Sequence, residues 1–220
     1  MPRVLLEACV ESVPHALAAE RGGAGRLEVC AALEVGGLTP AASLVSEIVA
    51  RTRIPAFVMV RSRPGTFVLG PGDVAAMAGR MRELARAGAA GFVLGALTES
   101  ATVDVEGTRA LVGAARGAPV TFHRAFDEVP NPAQALDELI ALGVTRVLTA
   151  GGSGTALEGA DRIGALVRQA GRRIGILAGG GVRAHHAAEL VRRTGVSEIH
   201  SRTPDDPEEV RRLLRAASGA

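Results

Sequence analysis

The stretch VLLEACVESVPHALAAERGGAGRLEVC, residues 4–30, decides the fold. It opens on a short apolar run at 4–9 and passes through an alanine-rich helical window near 12–21. It then returns through a glycine-rich turn to a second short run, RLEVC, at 26–30. A short apolar run, a helical period, a glycine stop and another short run make up a parallel βα unit. The alternation continues along the chain. Strand candidates recur at 56–61, 91–95, 120–124, 146–150, 174–178 and 198–201, with helical windows near 40–52, 72–87, 105–116, 132–142, 156–170, 183–194 and 206–217. Thr39-Pro40, Asn131-Pro132 and Asp206-Pro207 each set a capping residue before a proline at the first helical position. Gly88, Gly143, Gly171 and Gly195 stand where helices stop. Eight strands and eight helices at about 27 residues per unit predict an α/β fold, a TIM-type (β/α)8 barrel forming a single domain over residues 1–220. A doubly wound open sheet is the alternative, but no GxGxxG turn follows the first strand and eight even units favour closure.

Composition narrows the chemistry. With 25 basic and 23 acidic residues, the charges nearly balance, and the arginines are scattered among acids, so no nucleic-acid footprint is expected. Every basic residue is arginine. The absence of lysine excludes a Schiff-base aldolase, a pyridoxal-phosphate anchor and a lysine general base. No tyrosine is present to act as a phenolic acid. The N-terminus is not read as a signal peptide and no apolar run approaches the roughly 20 residues of a membrane span, so a soluble, cytoplasmic protein is expected. Two cysteines in a reducing compartment read as thiols rather than a structural disulfide.

In a barrel, alternate strand residues face the interior. Burying a carboxylate under apolar helices is costly, so Glu7 and Cys9 turn inward on the first strand, Glu28 and Cys30 on the second, and Glu198 and His200 on the eighth. Because strand 8 closes against strand 1, these three are neighbours. The matched Glu-x-(Cys or His) pattern predicts a band of three carboxylates, with a band of two thiols and an imidazole nearer the mouth. Met59, Arg61 and Arg63 share one face of the third strand, and Thr121 and His123 one face of the fifth. Arg124, of opposite phase, is expected to leave the wall and pair with Asp127.

The C-terminal mouth is where barrel enzymes place their sites. Inward carboxylates and arginines also serve as buried ion networks, and a lone cysteine is usually a small hydrophobe. Taken together, two thiols on adjacent strands about 4.8 Å apart suit one soft cation; the same spacing also permits a disulfide. The glycine turns AGGSG (150–154) and AGGGVR (178–183) expose N–H groups of Gly151, Gly179 and Gly180 that suit an anion. Ser201 follows His200 at the last strand end.

The motifs LEACVES, RLEVCAA, GGLTP, VRSRPGTF, VTFHRAFD, RVLTAGG, AGGGVR and EIHS, in this order, resemble the CutC family of copper homeostasis proteins over about residues 4 to 203. The resemblance implies a cytoplasmic, usually oligomeric, TIM-barrel-like protein for which copper binding is proposed, with Cys9 and Cys30 matching the soft-metal ligands. Two departures stand out. The family commonly reads R-P-R-x-G-x-F followed by a tyrosine, where this chain has R-S-R-P-G-T-F and Leu69. The loop after EIHS is also shorter here.

Three readings follow. In the first, Cys9 and Cys30 bind Cu(I) as thiolates, with His200 or His123 as an occasional third ligand. In the second, an enzyme acts on a small phosphorylated or carboxylated metabolite. Arg61 and Arg63, with Arg124, His200 and Ser201 nearby, hold the anion, while His123 with Glu7, Glu28 or Glu198 moves protons. In the third, the belt is a noncatalytic scaffold. No nucleotide or pyridoxal cofactor, nucleic acid or membrane partner is expected, and a homo-oligomer is.

Overall fold

A computed structural model describes residues 4–70, 72–152 and 154–219. Eight parallel strands close into a barrel in chain order: β1 Leu5–Val10, β2 Arg26–Val29, β3 Ala56–Met59, β4 Gly91–Leu94, β5 Val120–Phe122, β6 Arg146–Thr149, β7 Gly175–Ala178 and β8 Glu198–Arg202. The outer ring is α1 Val13–Arg21, α2 Ala42–Arg51, α3 Asp73–Arg86, α4 Val105–Ala114, α5 Pro132–Ala141, α6 Ala160–Ala170, α7 Ala184–Thr194 and α8 Pro207–Ser218. The closed barrel replaces the open sheet as the only architecture consistent with β1 pairing to both β2 and β8. None of these helices is long and apolar enough to cross a membrane.

Strand parity sorts the apolar residues into two cores. Leu6, Ala8, Val10, Leu27 and Val29 pack outward in the annulus under the helices. Cys9, Cys30, Phe57, Met59 and Val93 form a separate cluster inside the barrel. A fully buried annulus side chain such as Leu27 or Phe122 contributes about 2–3 kcal/mol to burial. Helix starts follow local chemistry. Ser12 accepts the His15 N–H, Asn131 the Gln134 N–H and Asp206 the Glu208 N–H. Thr39 differs from expectation. The helix begins at Ala42, and the Thr39 hydroxyl instead accepts the Arg61 N–H at 2.8 Å and donates to the Arg61 carbonyl at 3.0 Å. A tertiary partner outcompetes the cap and fixes the strand end that carries Arg61.

Register sets the height of each inward residue. Glu7 is level with Arg26 on one side and His200 on the other, Cys9 with Glu28, and Leu5 with Glu198. The expected single band of three carboxylates is therefore staggered. Tilted strands in a closed barrel are sheared against one another, so equal positions in successive strands stand at different heights. Glu198 lies one step below Glu7, and Glu28 one step above it.

Candidate functional site

At the bottom of the barrel, Arg26 donates to Glu7 and, at 2.5 Å, to Glu198, and Arg146 donates to Glu198 at 2.7 Å. The Arg26 and Arg146 guanidinium groups lie over the Phe57 ring. Glu198 thus sits within a buried ion network below the cavity. Arg26 and Arg146 were legible only as strand-starting arginines of inward parity, and the sequence reading did not single them out.

Above this network the belt becomes a relay. His200 Nδ1 lies 2.8 Å from Glu7 Oε1, and its Nε2 lies 3.7 Å from Glu28 Oε2. The Cys9 thiol donates to Glu28 Oε2 at 2.9 Å, and Cys9 and Cys30 sulfurs are 3.3 Å apart. Burial pushes the Glu7 carboxyl up, but the hydrogen bond and charge of His200 and the Arg26 guanidinium outweigh it and hold it down at about 2. Burial, with the neighbouring Glu7 charge, raises Glu28 despite the opposing charge of His200. Burial opposes a charged His200, yet Glu28 and Glu7 keep its pKa above the ordinary imidazole value. The hydrogen bond with Cys30, then burial and the Glu28 charge, push the Cys9 thiol well up, so it stays protonated until something displaces the proton.

The two inward thiols and the Glu28 carboxylate offer ligand atoms within 4.8 Å of one another, as do Glu7, Glu28 and His200. The groups differ in availability. Both Glu7 oxygens are already engaged, by Arg26 and by His200, so a hard cation there would displace both partners. The sulfurs hold nothing stronger than thiol hydrogen bonds. The donor chemistry of the first group fits a soft ion such as Cu(I).

A cavity of about 230 Å³ opens over this floor, lined by Cys9, Glu28 and His200 below and by Arg61, His123 and Arg183 around it. His123 directly follows β5 and is 4% exposed. Burial first, then the Arg61 charge, depress its pKa to about 3, so it is a neutral imidazole at ordinary pH. Its Nδ1 accepts the Ala125 N–H at 3.2 Å, which places the ring proton on Nε2. Phe67 packs on the ring with centroids 4.9 Å apart, and the Arg61 guanidinium lies 4.7 Å from the Phe67 ring centroid. Gly95 leaves room for the imidazole: a Cβ there would sit 2.5 Å from Nδ1. Gly95→Ala is therefore expected to displace His123 and cost about 1–3 kcal/mol, read as a lower urea midpoint, because overpacking forces the ring off its position.

The other expected anion groups divide. Arg63 lies outside this cavity, bonded to Asp73 and the Val68 carbonyl. Arg124 lines the cavity and bonds Asp127 at 2.7 Å, the partner its strand phase indicated. Gly151 lies in a turn whose donors are already taken. Asp127 accepts the N–H groups of Ala150 and Gly152 and the Thr149 hydroxyl, so a carboxylate from this chain fills the cradle after β6. Gly180 lines the cavity, and Gly179 packs against Leu148 and His200. Ser201 reaches the cavity but spends its hydroxyl on the Val182 carbonyl, and Arg183 donates to it at 3.3 Å. Arg183, in a motif read for its glycines, is the cation that the sequence reading overlooked.

The sequence profile of the CutC family matches residues 4–204. A family protein CutC of Caulobacter vibrioides is 46% identical over 198 residues, 90% of this chain and 80% of that protein. Another, of Pasteurella multocida, is 44% identical over 195 residues, 89% of this chain and 80% of its own. A crystal structure from Streptococcus agalactiae, solved under the name copper homeostasis protein CutC, superposes with a TM-score of 0.85 at 33% identity, covering 90% of this chain and 97% of that one.

Proposed function

This chain belongs to the CutC family, and we propose that it is a cytoplasmic protein that takes Cu(I) as cargo between the thiolates of Cys9 and Cys30. The observation that carries this reading is the 3.3 Å separation of two inward sulfurs on adjacent strands. Soft sulfur selects Cu(I) over hard cations, and two or three ligands suffice for it. The Met59 thioether belongs to the same interior cluster, which keeps the surroundings of the pair apolar and soft. A bis-thiolate Cu(I) centre carries one negative charge, which the Glu28 carboxylate on Cys9 opposes and which a protonated His200, held by Glu7 and facing Glu28, would offset. The name of the Streptococcus agalactiae relative also supports this reading.

Anaerobic competition against a Cu(I) chelator, in a non-thiol reductant so that the sulfurs stay reduced, tests the site. Wild type is expected to take one Cu(I) per chain. Cys9→Ser and Cys30→Ser each weaken it by about a hundredfold or more, since a hydroxyl is a poor ligand for a soft ion. Thermal melts of both variants establish that they fold. Tight binding retained in the folded double variant would overturn the thiolate site.

A further inference from the structure

The cavity above the thiols presents donors with nothing to bond. Among the described residues, His123 Nε2 and Arg61 Nε are both buried without a partner. His123 Nε2 carries the ring proton, so it is a donor left without a partner, on a residue that lines the cavity. The remaining Arg61 nitrogens are tied to the carbonyls of Val35, Gly37 and Gly65, which fixes the guanidinium without neutralising it. Neither Arg61 nor Arg183 has a carboxylate within ion-pair distance among the described residues, although most other arginines do. On the floor, Glu28 Oε1 is buried and free, while Oε2 takes the Cys9 thiol. Buried polar groups are normally satisfied, so three orphans on residues that line one cavity call for a ligand whose entry supplies their partners.

We propose that this cavity binds a short hydroxydicarboxylate, one carboxylate on His123 Nε2 and Arg61 Nε, the other on Arg183, and the hydroxyl on Glu28 Oε1. Arg61 follows β3 and Arg183 precedes α7 just after β7, strands diametrically opposite in the barrel. Two positive charges so placed match a ligand with a charge at each end rather than a dianionic phosphate with both at one end. The backbone cradle after β6 that would help hold a phosphate is filled by Asp127. The volume agrees. A cavity of about 230 Å³ has room for a four-carbon diacid.

Arg61, His123 and Arg183 bond neither sulfur, and Glu28, the one group shared with the thiols, keeps a hydroxyl donor in Cys9→Ser. Thermal shift and calorimetry with malate, in a metal chelator, test it on the intact chain. Malate is expected to raise the melting temperature by several degrees at saturation, succinate to bind less tightly for want of the hydroxyl, and glycerol 3-phosphate and inorganic phosphate to bind more weakly than malate. Arg61→Met and His123→Phe each weaken malate at least tenfold. Arg183→Met does the same, and its melting temperature without ligand establishes that it folds. The Cys9→Ser/Cys30→Ser double variant keeps malate affinity while losing Cu(I), which separates this site from the metal. No stabilisation by malate, tighter binding of either phosphate, or unchanged affinity in folded Arg183→Met would each overturn the proposal.

Discussion

Glu7→Gln is expected to cost about 3–5 kcal/mol of folding stability at pH 7, the usual penalty for removing one member of a buried ion network. Glutamine has the same shape but leaves Arg26 and His200 facing a neutral amide inside the barrel. The pH dependence identifies the cause. The folded-state pKa of Glu7, about 2, lies below its unfolded value of 4.5. Its contribution is therefore complete above pH 4.5 and lost as pH falls from 4.5 through 2. A shift of that size corresponds to about 3 kcal/mol. His200 has the opposite sign. Its pKa is raised in the folded state, so its contribution is present below 6.5 and lost as pH rises through the folded value. Urea unfolding of wild type and Glu7→Gln from pH 2 to 9 checks both. The variant is expected to lose the acid-side slope of Glu7 and to flatten the alkaline decline of His200. A variant that is less stable but keeps the wild-type pH profile would show that packing, not charge, carries the loss.

The second large effect is expected from Gly159→Ala, at about 3 kcal/mol or more. Gly159 caps the start of α6 at φ −84°, outside the left-handed region that favours glycine, so a positive φ is not the reason. The reason is contact between two stretches of backbone. A Cβ at Gly159 would press into the Ala150 carbonyl, 2.9 Å from its carbon and 3.0 Å from the Cα of Gly151. Neither side can give way as a flexible side chain would, and overpacking against backbone lies at or above the usual range. The displaced turn is the one whose N–H groups hold Asp127, and through it Arg124. Gly113→Ala in α4 is the contrast: nothing lies within 4 Å of the new methyl, and the helix gains about 0.5–1 kcal/mol. Urea midpoints of the two variants should move in opposite directions. A neutral Gly159→Ala would mean that the turn and helix start can separate at no cost.

Parity was the most legible feature of the site. The cost of burying a carboxylate under apolar helices turned Glu7, Glu28, Cys9 and Cys30 inward from the sequence alone, and all four line the barrel interior or its cavity. The same reasoning applied to Arg26 and Arg146 would have found the ions below them. His123 was read as a proton carrier from its place at a strand end. Its neutral, Nε2-protonated state arises from the Ala125 N–H, from burial under Phe67 and from Arg61, all supplied by chain distant in sequence or by the turn that follows. The AGGSG turn had the glycines of an anion cradle, and only folding brought the Asp127 carboxylate into it.

The sequence by itself determined the barrel, its order of elements, the direction in which each strand residue points and the family of the chain. Each follows from local periodicity, turn chemistry or motif, which neighbouring residues carry on their own. The tertiary structure decided height, partner and protonation. Height comes from shear around the whole closed sheet, which sets Glu28 beside Cys9, raises His200 to Glu7 and sinks Glu198 to Arg26 and Arg146. Partner and protonation then depend on which buried charges meet at that height, a property of all eight strands together and of no single stretch.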